Sequence, residues 1–147
     1  MKKTLLLLFV ITTLAFQLSG CKKEDPATPP PAVTYSIHGL WTGTYTVDGM
    51  SGLGQQELNL VIKPDGTMIN DSKAGGRQHI ALGTWTLVGD TAFESNATCI
   101  YGFPVSIGAE QKHTAIFNET TGNLTMGIYV NTGGTPGSGT FTLTKVD

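Results

Sequence analysis

From about Tyr35 onward, apolar side chains return at every second position rather than every third or fourth. That period of two is the repeat of a β-strand with one buried face. Residues 37–47 place Trp41, Gly43, Tyr45 and Val47 on one face and Thr42, Thr44 and Thr46 on the other. Residues 55–63 set Leu58, Leu60 and Ile62 opposite Glu57, Asn59, Val61 and Lys63, and Pro64-Asp65-Gly66 then turns the chain into 67–70. The same pattern predicts strands at 79–88, 91–98, 100–107, 112–118, 123–130 and 139–146, with Leu124, Met126, Ile128 and Val130 sharing one face. Helix-period stripes are absent.

Residues 35–147 are about 113 in number, a usual length for one domain with one core. The fold class is therefore all-β: about eight or nine short antiparallel strands joined in up-and-down order by tight turns. Such a meander must hide its edge strands, and closing into a barrel does so completely. A two-sheet β-sandwich satisfies the same periodicity and is the alternative.

The N-terminus has a different character. Met1-Lys2-Lys3 is cationic, residues 5–16 are almost wholly apolar, and Gln17-Leu18-Ser19-Gly20 ends in small residues, the pattern of a cleaved signal peptide over residues 1–20. The apolar run is shorter than the ~20 residues a helix needs to span a bilayer, so attachment requires another device. Leu18-Ser19-Gly20-Cys21 resembles the lipobox of bacterial lipoproteins. The resemblance implies diacylglycerol on the Cys21 thiol and cleavage between Gly20 and Cys21. It also implies acylation of the new amine, and two or more chains anchor a protein stably to a membrane. Residues 22–34 are charged and then proline-rich, a semi-rigid tether. Within them Lys23-Glu24-Asp25 resembles the surface-export signal of Bacteroidetes lipoproteins, which implies the outer face of the outer membrane; as a plain charged linker it would leave the protein facing the periplasm. Asp90-Thr91-Ala92 resembles the O-glycosylation motif of the same bacteria.

The segment Gly39-Leu40-Trp41-Thr42-Gly43 resembles the glycine-x-tryptophan opening of the calycin barrels: lipocalins, fatty-acid-binding proteins and avidins. That resemblance implies that Trp41 plugs a closed end beneath a basic side chain from the last strand, here Lys145, and that a small apolar ligand enters the mouth. Trp41, Tyr45, Trp85 and Phe117 are the candidate ligand-binding residues; in a filled barrel the same side chains are core. Gly83-Thr84-Trp85 and Gly139-Thr140-Phe141 echo the motif.

Composition narrows the functions. Removing Lys2 and Lys3 with the signal leaves seven basic against eleven acidic side chains, a formal charge of −4, and the remaining bases are scattered, which argues against nucleic acid. His38, His79 and His113 lack metal-pair spacing, Cys99 has no base beside it, and neither a metal, a cofactor nor a catalytic constellation is expected. The glycine-rich stretches 49–54 and 132–139 lack the context of phosphate loops and read as turns, which in an open barrel would form its rim. Two functions remain: a lipid-anchored, ligand-binding barrel, or a non-catalytic structural lipoprotein whose packed barrel contacts protein or glycan. Oligomeric state is not specified.

Overall fold

The chain forms eight antiparallel strands: β1 (Gly39–Tyr45), β2 (Gln56–Ile62), β3 (Thr67–Ala74), β4 (Arg77–Val88), β5 (Ala92–Tyr101), β6 (Glu110–Asn118), β7 (Asn123–Thr132) and β8 (Gly137–Lys145). Each pairs with the next and β8 pairs with β1, so the sheet is a closed up-and-down barrel rather than a sandwich. The computed structural model describes residues 33–133 and 137–146. Gly20 and Cys21 at the cut, Lys23-Glu24-Asp25 and the start of the tether lie outside the described residues.

The turns follow from local chemistry. Between β2 and β3 the Asp65 carboxylate accepts hydrogen bonds from the Thr67 amide (2.9 Å) and hydroxyl (2.6 Å) while Gly66 takes a φ of 83°, which closes the hairpin read from Pro64-Asp65-Gly66. Gly75 and Gly76, both with positive φ, reverse the chain between β3 and β4.

Two predictions need correction. Residues 100–107 do not form a ninth strand: β5 runs on through Tyr101, and a 3-10 turn follows at Pro104–Ser106. The break is steric. A Cβ on Gly102 would lie 2.1 Å from the His79 ring, and Pro104 has no N–H to continue a ladder. Likewise, Leu124, Met126, Ile128 and Val130 do not share a face. Met126 adopts a φ of 53° inside a β-bulge against β8, which adds one residue and reverses the alternation. Leu124 is fully buried, whereas Met126 is 80% exposed and Gly127, Tyr129 and Asn131 take over the inward positions.

The inward glycines explain how the sheet curls. In the register of β7 and β8, Gly127 faces Phe141 and Tyr129 faces Gly139, so each glycine makes room for the aromatic ring of the other strand. A Cβ on Gly127 would meet the Phe141 ring at 2.5 Å, and one on Gly139 would meet the Thr46 carbonyl oxygen at 1.8 Å and the Tyr129 ring at 2.6 Å. Gly43 and Gly83 are similarly pressed against the carbonyls of Thr142 and Asn96. At Gly43, Gly83, Gly127 and Gly139 the Gly-x-aromatic repeats are therefore places where neighbouring backbone approaches too closely for any side chain, whereas a Cβ on Gly39 would meet the Lys145 side chain.

One end of the barrel is plugged. Trp41 is fully buried, donates from Nε1 to the Ile37 carbonyl (2.7 Å) and meets Phe117 edge to face with ring centroids 5.8 Å apart. Lys145 Nζ stands 5.5 Å from the Trp41 ring centroid and donates to the carbonyls of Ser36 (2.6 Å) and His38, which ties the N-terminal segment across this end. Leu60, Ile62, Met68, Phe93, Leu124 and Leu143 fill the space above. Substituting Gly139→Ala should lower unfolding free energy in urea by about 1–3 kcal/mol through overpacking. Gly137→Ala, two residues away with open space at its Cβ, should change it by less than about 0.5 kcal/mol.

Candidate functional site

Along β3, β6 and β7 the inward side chains change character toward the other end. Ascending β3 the inward residues are Met68, Asn70, Ser72 and Ala74; ascending β7 they are Leu124, Gly127, Tyr129 and Asn131. Descending β6 they run Gln111, His113, Ala115 and Phe117. Because neighbouring strands are antiparallel, these polar halves converge on one level, beneath a mouth bordered by the β1–β2, β3–β4 and β5–β6 connections. There the barrel holds a cavity of about 330 Å³.

Its walls are mostly apolar: Tyr45, Val47, Leu58, Ala74, Ala109 and Tyr129. Met50 and Leu53 of the β1–β2 loop and Phe103 and Val105 of the β5–β6 loop stand at the rim, each more than a third exposed. Phe103 is held in place from below. Its ring lies 5.2 Å from the His79 ring and 4.4 Å from the Arg77 guanidinium carbon. Tyr45 and Tyr129 meet edge to face at 5.4 Å, and Tyr45 Oη donates to the Lys73 carbonyl (3.0 Å). Burial raises both phenols, and for Tyr129 the neighbouring Tyr45 and Asp48 add to the effect.

The floor is a buried polar chain. The Asn70 side-chain amide donates to Gln111 Oε1 (2.9 Å) and to His113 Nε2 (3.2 Å). With Nε2 accepting, the imidazole proton sits on Nδ1 and is given to Ser95 Oγ at 3.0 Å. Asn70, Ser95 and His113 are all less than 5% exposed. Both amide hydrogens of Asn70 are committed to this chain, so its carbonyl oxygen, Oδ1, is left without a partner among the described residues, as is Asn131 Oδ1. Native proteins seldom leave such buried acceptors unmatched.

The sequence-derived candidates are divided by the fold. Tyr45 lines the cavity. Trp41 and Phe117 lie at the plugged end. Trp85 lies there too, donating to the Lys63 carbonyl (2.8 Å) and meeting His38 at 5.4 Å. Neither tryptophan touches the cavity. A second depression, larger at about 610 Å³, lies between Tyr35, Ile37, Leu87 and Phe117, but its remaining walls include turn residues such as Asp90, Thr91 and Glu119, and it contains none of the unmatched buried acceptors. Cys99 is buried beside Ala81 and Ala97, outside the cavity lining, with its thiol pushed up by burial. Asn70, Gln111 and Asn131 were not singled out from the sequence, and His113 was weighed there only as a metal ligand; Asn70, Gln111 and His113 are polar residues at inward positions of alternating strands, a phase that marks them, whereas the bulge at Met126 hides Asn131 from it.

No family model matches this sequence, and no curated protein matches it. A solved structure described as a redesigned β barrel, mFAP1, bound to DFHBI, is similar to it. The two superpose with a TM-score of 0.56 at 17% identity, covering 74% of this chain and 94% of the other. At that identity the likeness establishes a shared barrel fold.

His113 also sets a pH dependence. Burial holds its imidazole down to about 4, against about 6.5 in the unfolded chain, so between those values the unfolded state binds the extra proton. The stabilisation is complete above the unfolded value and is lost as pH falls. Going from about pH 7.5 to about pH 5 should remove about 2 kcal/mol of unfolding free energy. The depressed His79 adds to the same slope, and urea titrations of His113→Gln should show a shallower one.

Proposed function

We propose that this chain is a non-catalytic, lipid-anchored binding protein of the outer membrane, displayed at the cell surface, whose barrel takes a small and largely apolar ligand through its open end. The cavity carries this reading. A barrel that served only as a packed scaffold would fill its interior, since core side chains ordinarily interlock with few voids larger than water. Here about 330 Å³ is left open above a buried polar floor, within the usual range of small-molecule sites, and an apolar rim leads into it. That mFAP1, a barrel of similar fold, was solved bound to DFHBI supports the same reading of the cavity.

The anchor rests on the sequence. The signal segment, Leu18-Ser19-Gly20-Cys21 and Lys23-Glu24-Asp25 form a continuous order of export, lipidation and address, followed by a proline-rich spacer. A lipid-tethered barrel would sample ligand in the aqueous layer next to the membrane, and no catalytic group is required for that task.

Each half has its own test. N-phenyl-1-naphthylamine should give a saturable rise in fluorescence with the purified protein. Ala74→Trp, which fills the mouth, should weaken that binding at least about tenfold, equivalent to about 1.4 kcal/mol. Intrinsic tryptophan emission is a poor reporter, because Trp41 and Trp85 both sit at the plugged end. Separately, cells fed radiolabelled palmitate should label the wild type and leave Cys21→Ala unlabelled, and protease added to intact cells should remove the wild-type domain. Labelled protein that resists the protease would place the barrel on the periplasmic side.

A further inference from the structure

We infer that the occupant of this cavity carries a carbonyl-type oxygen on one edge of an otherwise apolar body, held by the side-chain amide N–H groups of Gln111 and Asn131. The inference rests on the reading of the cavity as a ligand site and goes further by assigning which group of the ligand meets which wall.

The direction of the polar chain decides which end of Gln111 is open. Gln111 Oε1 accepts from Asn70 at 2.9 Å, while its Nε2 has no partner among the described residues. Asn131 stands directly opposite Gln111 in the β6–β7 ladder. Its Oδ1 is buried, so the open part of this amide is Nδ2, which likewise has no partner among the described residues. Both side chains are half-buried and line the cavity. Reversing the chain would leave both amide hydrogens of Asn70 buried without acceptors, and turning Asn131 over would bury its own. Unmatched buried N–H groups are rarer in proteins than unmatched carbonyl oxygens. Directly opposite residues of an antiparallel pair hold their Cβ atoms about 4.5–5.5 Å apart. Two amides at that spacing can donate to one oxygen, and a carbonyl oxygen has two lone pairs to receive them.

No other side chain of the described lining competes for this role. Asn70 and His113 are bonded to each other, and the His79 ring lies against Gly102 and Phe103. The hydroxyls of Ser72, Ser106, Tyr45 and Tyr129 accept as well as donate, so they select neither. No lysine, arginine, aspartate or glutamate is among the described residues that line the cavity. Across the barrel from β6 stands Leu58 of β2, with Met50 and Leu53 of the β1–β2 connection nearer the rim. The cavity thus has a donor face and an apolar face. A ligand that lays hydrocarbon on Leu58 and turns an oxygen toward β6 and β7 matches both. A pure hydrocarbon would strip water from the two amides and return no hydrogen bond. Ketones, esters, amides and carboxylates all present the required oxygen.

Ligands of one shape test this with the purified protein, by calorimetry near neutral pH. 2-Acetonaphthone carries the carbonyl, 2-isopropenylnaphthalene has a methylene group in place of its oxygen, and 2-naphthoate carries the charged form. Each is titrated into the wild type and into Asn131→Leu, which removes one donor from a side chain that makes no hydrogen bond among the described residues. Comparing ratios cancels the greater hydrophobicity of the alkene. The affinity of the tighter oxygen compound relative to the alkene should fall about tenfold on the substitution, the value of one hydrogen bond. Which oxygen compound is tighter tells a neutral carbonyl ligand from a carboxylate. Asn131→Ala takes the place of Asn131→Leu should the latter fail to fold by circular dichroism. A ratio unchanged by the substitution overturns the assignment and leaves the cavity a ligand site. Failure of both oxygen compounds to bind a protein that still enhances N-phenyl-1-naphthylamine fluorescence does the same. Absence of binding by all three, with no N-phenyl-1-naphthylamine signal, overturns the assignment and the ligand-binding reading together.

Discussion

Everything in this molecule depends on the ladder between β1 and β8, where Trp41 pairs with Lys145 and Tyr45 with Phe141. That pairing turns an eight-strand meander, which would otherwise have two exposed edges, into a surface with none. It forms only if the first and last strands come close, and glycine makes the approach feasible: Gly43 lies against the backbone of Thr142 and Leu143, and Gly139 against the carbonyl of Thr46. The same ladder holds Lys145 over Trp41. Closure and plugging of the end are thus one event.

A closed barrel has a fixed interior volume, and the distribution of side-chain sizes decides where that volume is filled. At the plugged end Trp41, Phe93, Phe117, Leu60 and Leu143 are buried together in one apolar cluster. Toward the open end the inward positions shrink to Ala74, Ser72 and Ala109 or become polar, as at Asn70, Gln111 and His113. The cavity is therefore a consequence of a size and polarity gradient along the strands, and the polar floor is where that gradient crosses the barrel. Burying His113, Asn70 and Ser95 is tolerated because each satisfies another.

Much of the architecture was legible in advance, for identifiable reasons. The inward set Leu58, Leu60 and Ile62 and the turn at Asp65-Gly66 rest on alternation and on the hydrogen-bonding habits of aspartate, both short-range properties. Where the reading went astray, the cause was a single residue acting on its strand. Met126 in a left-handed conformation reversed the faces of β7, and Gly102 with Pro104 ended a run that looked continuous. Of the aromatic candidates only Tyr45 reached the cavity, because the aromatic residues of β1, β4 and β6 are set at heights fixed by register, and composition carries no information on height.

By itself the sequence determined an all-β domain, the inward face of most strands, and an N-terminus with the marks of export and lipidation, because periodicity, turn chemistry and signal segments are written in neighbouring residues. Only the tertiary structure decided that the sheet closes, that Gly127 and Gly139 stand opposite Phe141 and Tyr129, and that Asn70, Gln111, His113 and Asn131 meet at one level. These depend on the register of strands across the whole sheet, from the β7–β8 pair to the β1–β8 closure. Register is a collective property of the closed sheet, and no local stretch of residues contains it.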